Sequence, residues 1–82
     1  MLVTIKYFAS IREAVGHASE QRETSATTLA GLRDELLASS PNYASLSRGR
    51  AVRMALNQVM REESAELATG SEVAFFPPVT GG

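Results

Sequence analysis

An α+β fold is what this sequence predicts, and three observations predict it. Strand-like runs open and close the chain, and a leucine-striped helix lies between them. The 82 residues also leave no room for repeated βαβ crossovers. The expected order is β, short α, a weakly patterned segment readable as β, α, β, β, β, in one small domain over residues 1–76 with an extended tail over 77–82.

Each element has its own local reason. Residues 2–8 alternate as a strand, with Val3, Ile5 and Tyr7 on the buried face and Phe8 on the outer one. Ser10 and Glu13 have capping-box spacing, Ile11 and Val15 follow at i,i+4, and Gly16 supplies a stop, which predicts a helix of one to two turns. His17 follows in a turn and reads as a solvated loop histidine, because the sequence suggests neither an orienting partner nor a nucleophile. Residues 18–26 are polar without clear period; a charged edge strand is one reading of them. Thr28 is a good N-cap for the principal helix, 29–39, whose core stripe is Leu29, Leu32, Leu36 and Leu37. Arg33, Asp34 and Glu35 are expected to face water.

In the loop that follows, 41–49, Tyr43 and Leu46 are expected to plug the base of the core. Arg48, Arg50 and Arg53 make a basic group that reads as solvated surface, with steering toward an acidic partner as the sharper alternative. Val52, Met54 and Leu56 mark a strand, Asn57-Gln58 a turn, and Val59-Met60 a short return strand. Residues 61–66 read as a charged, solvated loop anchored by Leu67. After a turn at Gly70-Ser71, Glu72–Phe76 forms the last strand, with Val73 and Phe75 on one face and Ala74 and Phe76 on the other.

Composition narrows the chemistry. Eight basic and nine acidic residues give a net charge of -1, which argues against nucleic acid as a ligand. Cysteine is absent and His17 is the single histidine, so no disulfide, thiolate nucleophile or cysteine- or histidine-rich metal site is expected. No apolar run is long enough to span a membrane and no signal peptide is apparent, so a cytoplasmic location is expected.

What remains as a chemical handle is the C-terminus. Pro77 and Pro78 hold the backbone near polyproline geometry and stop it continuing as a ladder strand. Val79, Thr80, Gly81 and Gly82 follow, and six extended residues reach roughly 20 Å at about 3.3–3.6 Å each. Gly82 brings its α-carboxylate with no Cβ to obstruct it. The reading is a delivery arm with Gly82 as the reactive group, against the plainer alternative of a frayed end.

The ending Gly70-Ser-Glu-Val-Ala-Phe-Phe-Pro-Pro-Val-Thr-Gly-Gly82 resembles that of the small, sulfur-carrier subunits of molybdopterin synthase, a ubiquitin-like, MoaD-type family. Tyr7–Gly16 and Ala55-Leu-Asn-Gln58 are similar to the same family. The resemblance implies a β-grasp fold, a mixed sheet packed on the 29–39 helix, with first and last strands parallel and adjacent. It implies that a ubiquitin-activating-type enzyme consumes ATP to adenylate Gly82, that a sulfur donor protein converts the adenylate to a thiocarboxylate, and that the tail carries this sulfur into a large catalytic subunit. There it would be given to cyclic pyranopterin monophosphate, in an assembly of two small and two large subunits. The domain would bind no cofactor or metal of its own and would not be catalytic alone. With the first and last strands adjacent, Phe8 and Phe76 would flank the arm as an interface anchor for its partners. A carrier for thiamine or tRNA thiolation, or a ubiquitin-like protein modifier, are the alternatives that share the terminal glycines.

Overall fold

Val3, Ile5 and Tyr7 alternate with residues that remain partly or largely accessible, and they are almost wholly buried in strand β1, Leu2–Tyr7. The computed structural model describes residues 1–78, apart from the side chain of Arg48. Val79, Thr80, Gly81 and Gly82 lie outside the described residues. A short helix α1 (Ala9–Val15), strand β2 (Ser19–Glu23) and the principal helix α2 (Leu29–Ser39) follow β1. Two 3-10 turns, Pro41–Leu46 and Arg48–Arg50, then lead to strands β3 (Arg53–Leu56), β4 (Val59–Met60) and β5 (Glu72–Phe76). The five strands form one mixed sheet in the order β2-β1-β5-β3-β4. Strands β1 and β5 run parallel at its centre, and the other pairings are antiparallel. This is the α+β, ubiquitin-like β-grasp architecture.

The core lies between the sheet and α2. Leu29, Leu32 and Leu36 are fully buried against Ile5, Val73 and Phe75, with Leu37 partly buried at the margin. Tyr43 and Leu46 close the core from the 3-10 turn, as their apolar spacing in a polar loop suggested. The polar stretch 18–26 does supply an edge strand, paired over Ser19–Glu23 with β1.

Three local expectations are corrected. The Ser10–Glu13 capping box does not form. Helix α1 starts two residues earlier than that box would place it, with Phe8 in the N-cap position, and no side chain caps it. The chain turns directly from strand to helix: the Phe8 amide donates to the Phe75 carbonyl while the Phe8 carbonyl accepts from Ile11 and Arg12. Ala9 takes a left-handed φ of 52° to make that turn. Gly16, at φ 99°, does end the helix, and its amide donates to the Arg12 carbonyl.

Arg33 does not face water. It is 4% exposed, and its Nη2 donates to Glu63 Oε2 at 2.8 Å. The reason lies 30 residues away, in the segment expected to be a solvated loop. That segment folds onto the start of α2, where the carbonyls of Ala65 and Glu63 accept from the Leu29 and Ala30 amides, while Thr28 Oγ1 accepts from Gly31. Three amides that a helix N-terminus leaves without internal partners are thereby satisfied. Covering the helix there also covers Arg33. Glu35, expected in water as well, is half-buried: it accepts from Arg22 Nε and Thr24 Oγ1, both at 2.7 Å, and so ties β2 to α2. Asp34 is exposed as expected.

His17 is the third correction. It is half-exposed, but its Nε2 lies 2.6 Å from Glu20 Oε2, so it has a structured partner. The same oxygen accepts from Tyr7 Oη at 3.0 Å and Tyr43 Oη at 2.8 Å.

Candidate docking groove at the root of the tail

The parallel pairing of β1 and β5 brings the last residue of each run to the same end of the sheet, with Tyr7 opposite Phe75. Phe8 and Phe76 are the next residues along. Their rings stack, with centroids 4.6 Å apart and planes inclined by 9°. Offset stacking of this kind contributes about 0.5–1.5 kcal/mol beyond the area buried. The pair is held from below by the Phe8 amide bonded to the Phe75 carbonyl. Phe8 remains 39% exposed, and Phe76 is half-buried beneath it. The tail begins at once after this stack, with Pro77 half-buried and Pro78 exposed.

The stack forms one wall of an open groove of about 570 Å³. Met60, Arg53, Ala9, Pro77 and Pro78 complete its lining. Sheet register accounts for this grouping: Arg53 pairs with Phe76 across β3–β5, and Met60 pairs with Ala55 across β3–β4. Met60 and its neighbour Val59 are 49% and 59% exposed, so apolar surface gathers beside the place where the tail leaves the body. The stacked aromatic pair and the exposed methionine thus form one accessible apolar surface at the root of the tail.

Of the residues singled out in the sequence, Phe8, Phe76, Pro77 and Pro78 meet at this groove, while Val79, Thr80, Gly81 and Gly82 are outside the described residues. Met60 and Arg53 had not been linked with the aromatic pair. The available signal was a bulky apolar residue in a two-residue return strand, too short to have a buried face. The basic group is divided: Arg53 lines this groove, whereas Arg50 lines another with Ser10, Ile11 and Ser45. Among the described residues no group of three or more histidine, cysteine, aspartate or glutamate side chains is placed to hold a metal. Nor is any helix long and apolar enough to cross a membrane.

A family model described as the ThiS family matches residues 5–82. The chain belongs to the ThiS family. Its relatives within this group of MoaD/ThiS-type sulfur carriers span its whole length. The molybdopterin synthase sulfur carrier subunit of Escherichia coli is 35% identical over 81 residues, covering 99% of this chain and all of that one. The subunit of the same name from Mycobacterium tuberculosis is 34% identical, covering 98% of this chain and 96% of that one. Among solved structures, a Pyrococcus furiosus protein described as a putative molybdopterin converting factor subunit 1 superposes with a TM-score of 0.78 at 26% identity, covering 96% and 99% of the two chains. Small archaeal modifier protein 1 of Haloferax volcanii has the same fold, with a TM-score of 0.79 at 22% identity over 95% and 98% of the two chains. ThiS-family membership thus agrees with the β-grasp architecture.

Proposed function

We propose that this chain is the sulfur-carrying subunit of a molybdopterin synthase and that Gly82 bears the sulfur. One observation carries the reading: relatives named as sulfur carrier subunits of that enzyme match it at 33–35% identity over essentially its full length. The groove at the tail's root supports it, because a carrier must dock its body while its terminus reaches elsewhere.

The chemistry follows from what a carboxylate lacks. It is a poor electrophile, so an adenylating enzyme joins the Gly82 carboxylate to AMP from ATP, with pyrophosphate as the leaving group. Sulfide-level sulfur delivered by a donor protein then attacks the acyl carbon, so that AMP leaves and a thiocarboxylate remains. In the large subunit this anionic sulfur attacks cyclic pyranopterin monophosphate. Water then cleaves the resulting Gly82 thioester to leave the sulfur on the pterin and restore the carboxylate, and two such transfers build the dithiolene. The large subunit supplies the acids and bases, and the carrier supplies position. An arm held in a channel makes the transfer effectively intramolecular, worth up to about 7–11 kcal/mol in well-oriented systems. Pro77 and Pro78 reduce the entropy lost when the arm is ordered. Phe8 and Phe76 dock on the large subunit and on the adenylating enzyme in turn. The cycle runs in the cytoplasm in an assembly of two small and two large subunits.

The test is the terminus itself. Deleting Gly82, or adding one residue beyond it, is expected to abolish sulfur loading or transfer while leaving the thermal unfolding midpoint unchanged. An extended variant that still delivers sulfur would contradict the reading. Isopeptide-linked adducts on target lysines would point to a modifier instead.

A further inference from the structure

A second groove, of about 500 Å³, adjoins the first and shares Arg53 and Met60 with it. Its other lining includes Arg33, Arg61, Glu62 and Glu63. Glu63 is engaged by the buried Arg33 at 2.8 Å, so the pair fixes one wall of the groove. Of the remaining charges, Arg53 and Arg61 face a single glutamate, Glu62. Both arginines are exposed. Both line this groove, and the Arg61 amide donates to the carbonyl of Met54, the residue after Arg53. A chain whose overall charge is -1 therefore gathers local positive charge beside its apolar patch.

We propose that Arg53 and Arg61 form a cationic site that receives an acidic side chain of the large subunit when that subunit covers Phe8, Phe76 and Met60. The inference rests on the docking role proposed above and adds to it the charge of the partner's complementary surface. Two features carry it. The two grooves share Arg53 and Met60 in their lining, so a partner that covers Met60 in the first lies beside the second. Arginine is also suited to this position, because its planar guanidinium pairs with carboxylates through two parallel hydrogen bonds and packs its stem on apolar neighbours. At the rim of an apolar contact, such charges act mainly on the rate of encounter and on discrimination against wrong partners.

The experiment measures association of the full chain with the large subunit of molybdopterin synthase from the same organism, across a range of salt. The variants are the double variant Arg53→Glu/Arg61→Glu and, separately, Phe8→Ala. Both arginines are exposed, so the double variant is expected to fold, which its unfolding midpoint checks. At low ionic strength the double reversal is expected to slow association about tenfold. The difference should vanish near 1 M salt, where the screening length is about 3 Å. A merely structural role would not change the salt dependence. If Phe8→Ala weakens binding but the double reversal leaves rate and salt dependence unchanged, the cationic site is overturned and the docking reading stands. If Phe8→Ala has no effect, the docking reading itself fails and this inference with it. If the wild-type chain self-associates and charge reversal abolishes that instead, the occupant is a second copy and the proposal is overturned.

Discussion

Glu20 gathers three polar contacts on one oxygen. Its Oε2 accepts from Tyr7 and Tyr43 and meets His17, which ties β1, the turn after α1 and the 3-10 turn to the start of β2. Burial by itself would raise the Glu20 pKa, but the hydrogen bonds from His17, Tyr43 and Tyr7 outweigh it and hold the carboxyl below its usual value. The phenols respond in the opposite sense. Burial first, then the Glu20 charge, pushes the Tyr7 hydroxyl well above the ordinary tyrosine range, and Tyr43 rises for the same reasons. Glu20→Ala strands the hydroxyl of Tyr7, a residue only 1% exposed, and is expected to cost about 1–3 kcal/mol in urea unfolding. In a double-mutant cycle, Tyr43→Phe should cost measurably less once Glu20 is gone, and strict additivity would refute the network. A carboxyl whose folded pKa is lowered stabilises the fold above its unfolded value and loses that contribution as pH falls through the folded one. Glu35 is lowered too: burial opposes, but the bonds from Arg22 and Thr24 prevail. Stability is therefore expected to decline below about pH 4.5, the ordinary glutamate value, and Glu20→Ala should flatten that decline. None of this was legible at His17, because its partner Glu20 lies in a segment without period, and Tyr43 joins from 23 residues beyond Glu20.

At the scale of elements, what depends on neighbours in sequence was readable. The alternation in β1, the leucine stripe of α2, the Thr28 cap and the Asn57-Gln58 turn all follow from residues within a few positions of one another. The Leu56–Val59 pairing makes that turn a two-residue hairpin loop, and its central φ angles are both positive, 51° at Asn57 and 69° at Gln58. Such loops favour Asn-Gly, since a Cβ in the left-handed region costs about 1 kcal/mol. Gln58→Gly is accordingly expected to stabilise the domain by about 1 kcal/mol, which in a chain of this size raises the thermal midpoint by roughly 4–8 °C. A lower midpoint would mean that the Gln58 side chain makes contacts worth more than its strain. The errors in reading came where an element's surroundings are set at long range. Arg33 had the spacing of a solvated position, and only the return of residues 61–67 across the start of α2 buries it. The Ser10–Glu13 box was a sound local signal overridden by β5, whose Phe75 carbonyl holds the Phe8 amide and starts the helix early.

At the scale of the whole molecule, the sheet order puts the end of β1 beside the end of β5, and everything proposed for the groove depends on that adjacency. The aromatic pair was legible once the fold was assigned, because alternation places Phe8 and Phe76 on one face and parallel pairing places them at one end. Met60 and Arg53 were not, since their part depends on β3 and β4 extending the sheet past the tail's root. The reading of the terminus rests on elimination in the sequence, which has no cysteine and a single histidine, and Gly82 itself lies outside the described residues. The account therefore turns on one atom replaced at that position. The most direct test is intact mass spectrometry of the chain incubated with ATP, its adenylating enzyme and a sulfur donor protein. The expected result is an ATP-dependent gain equal to replacing one oxygen by sulfur, located on Gly82 by fragmentation. An unchanged mass, while the same mixture loads another ThiS-family carrier, would contradict it.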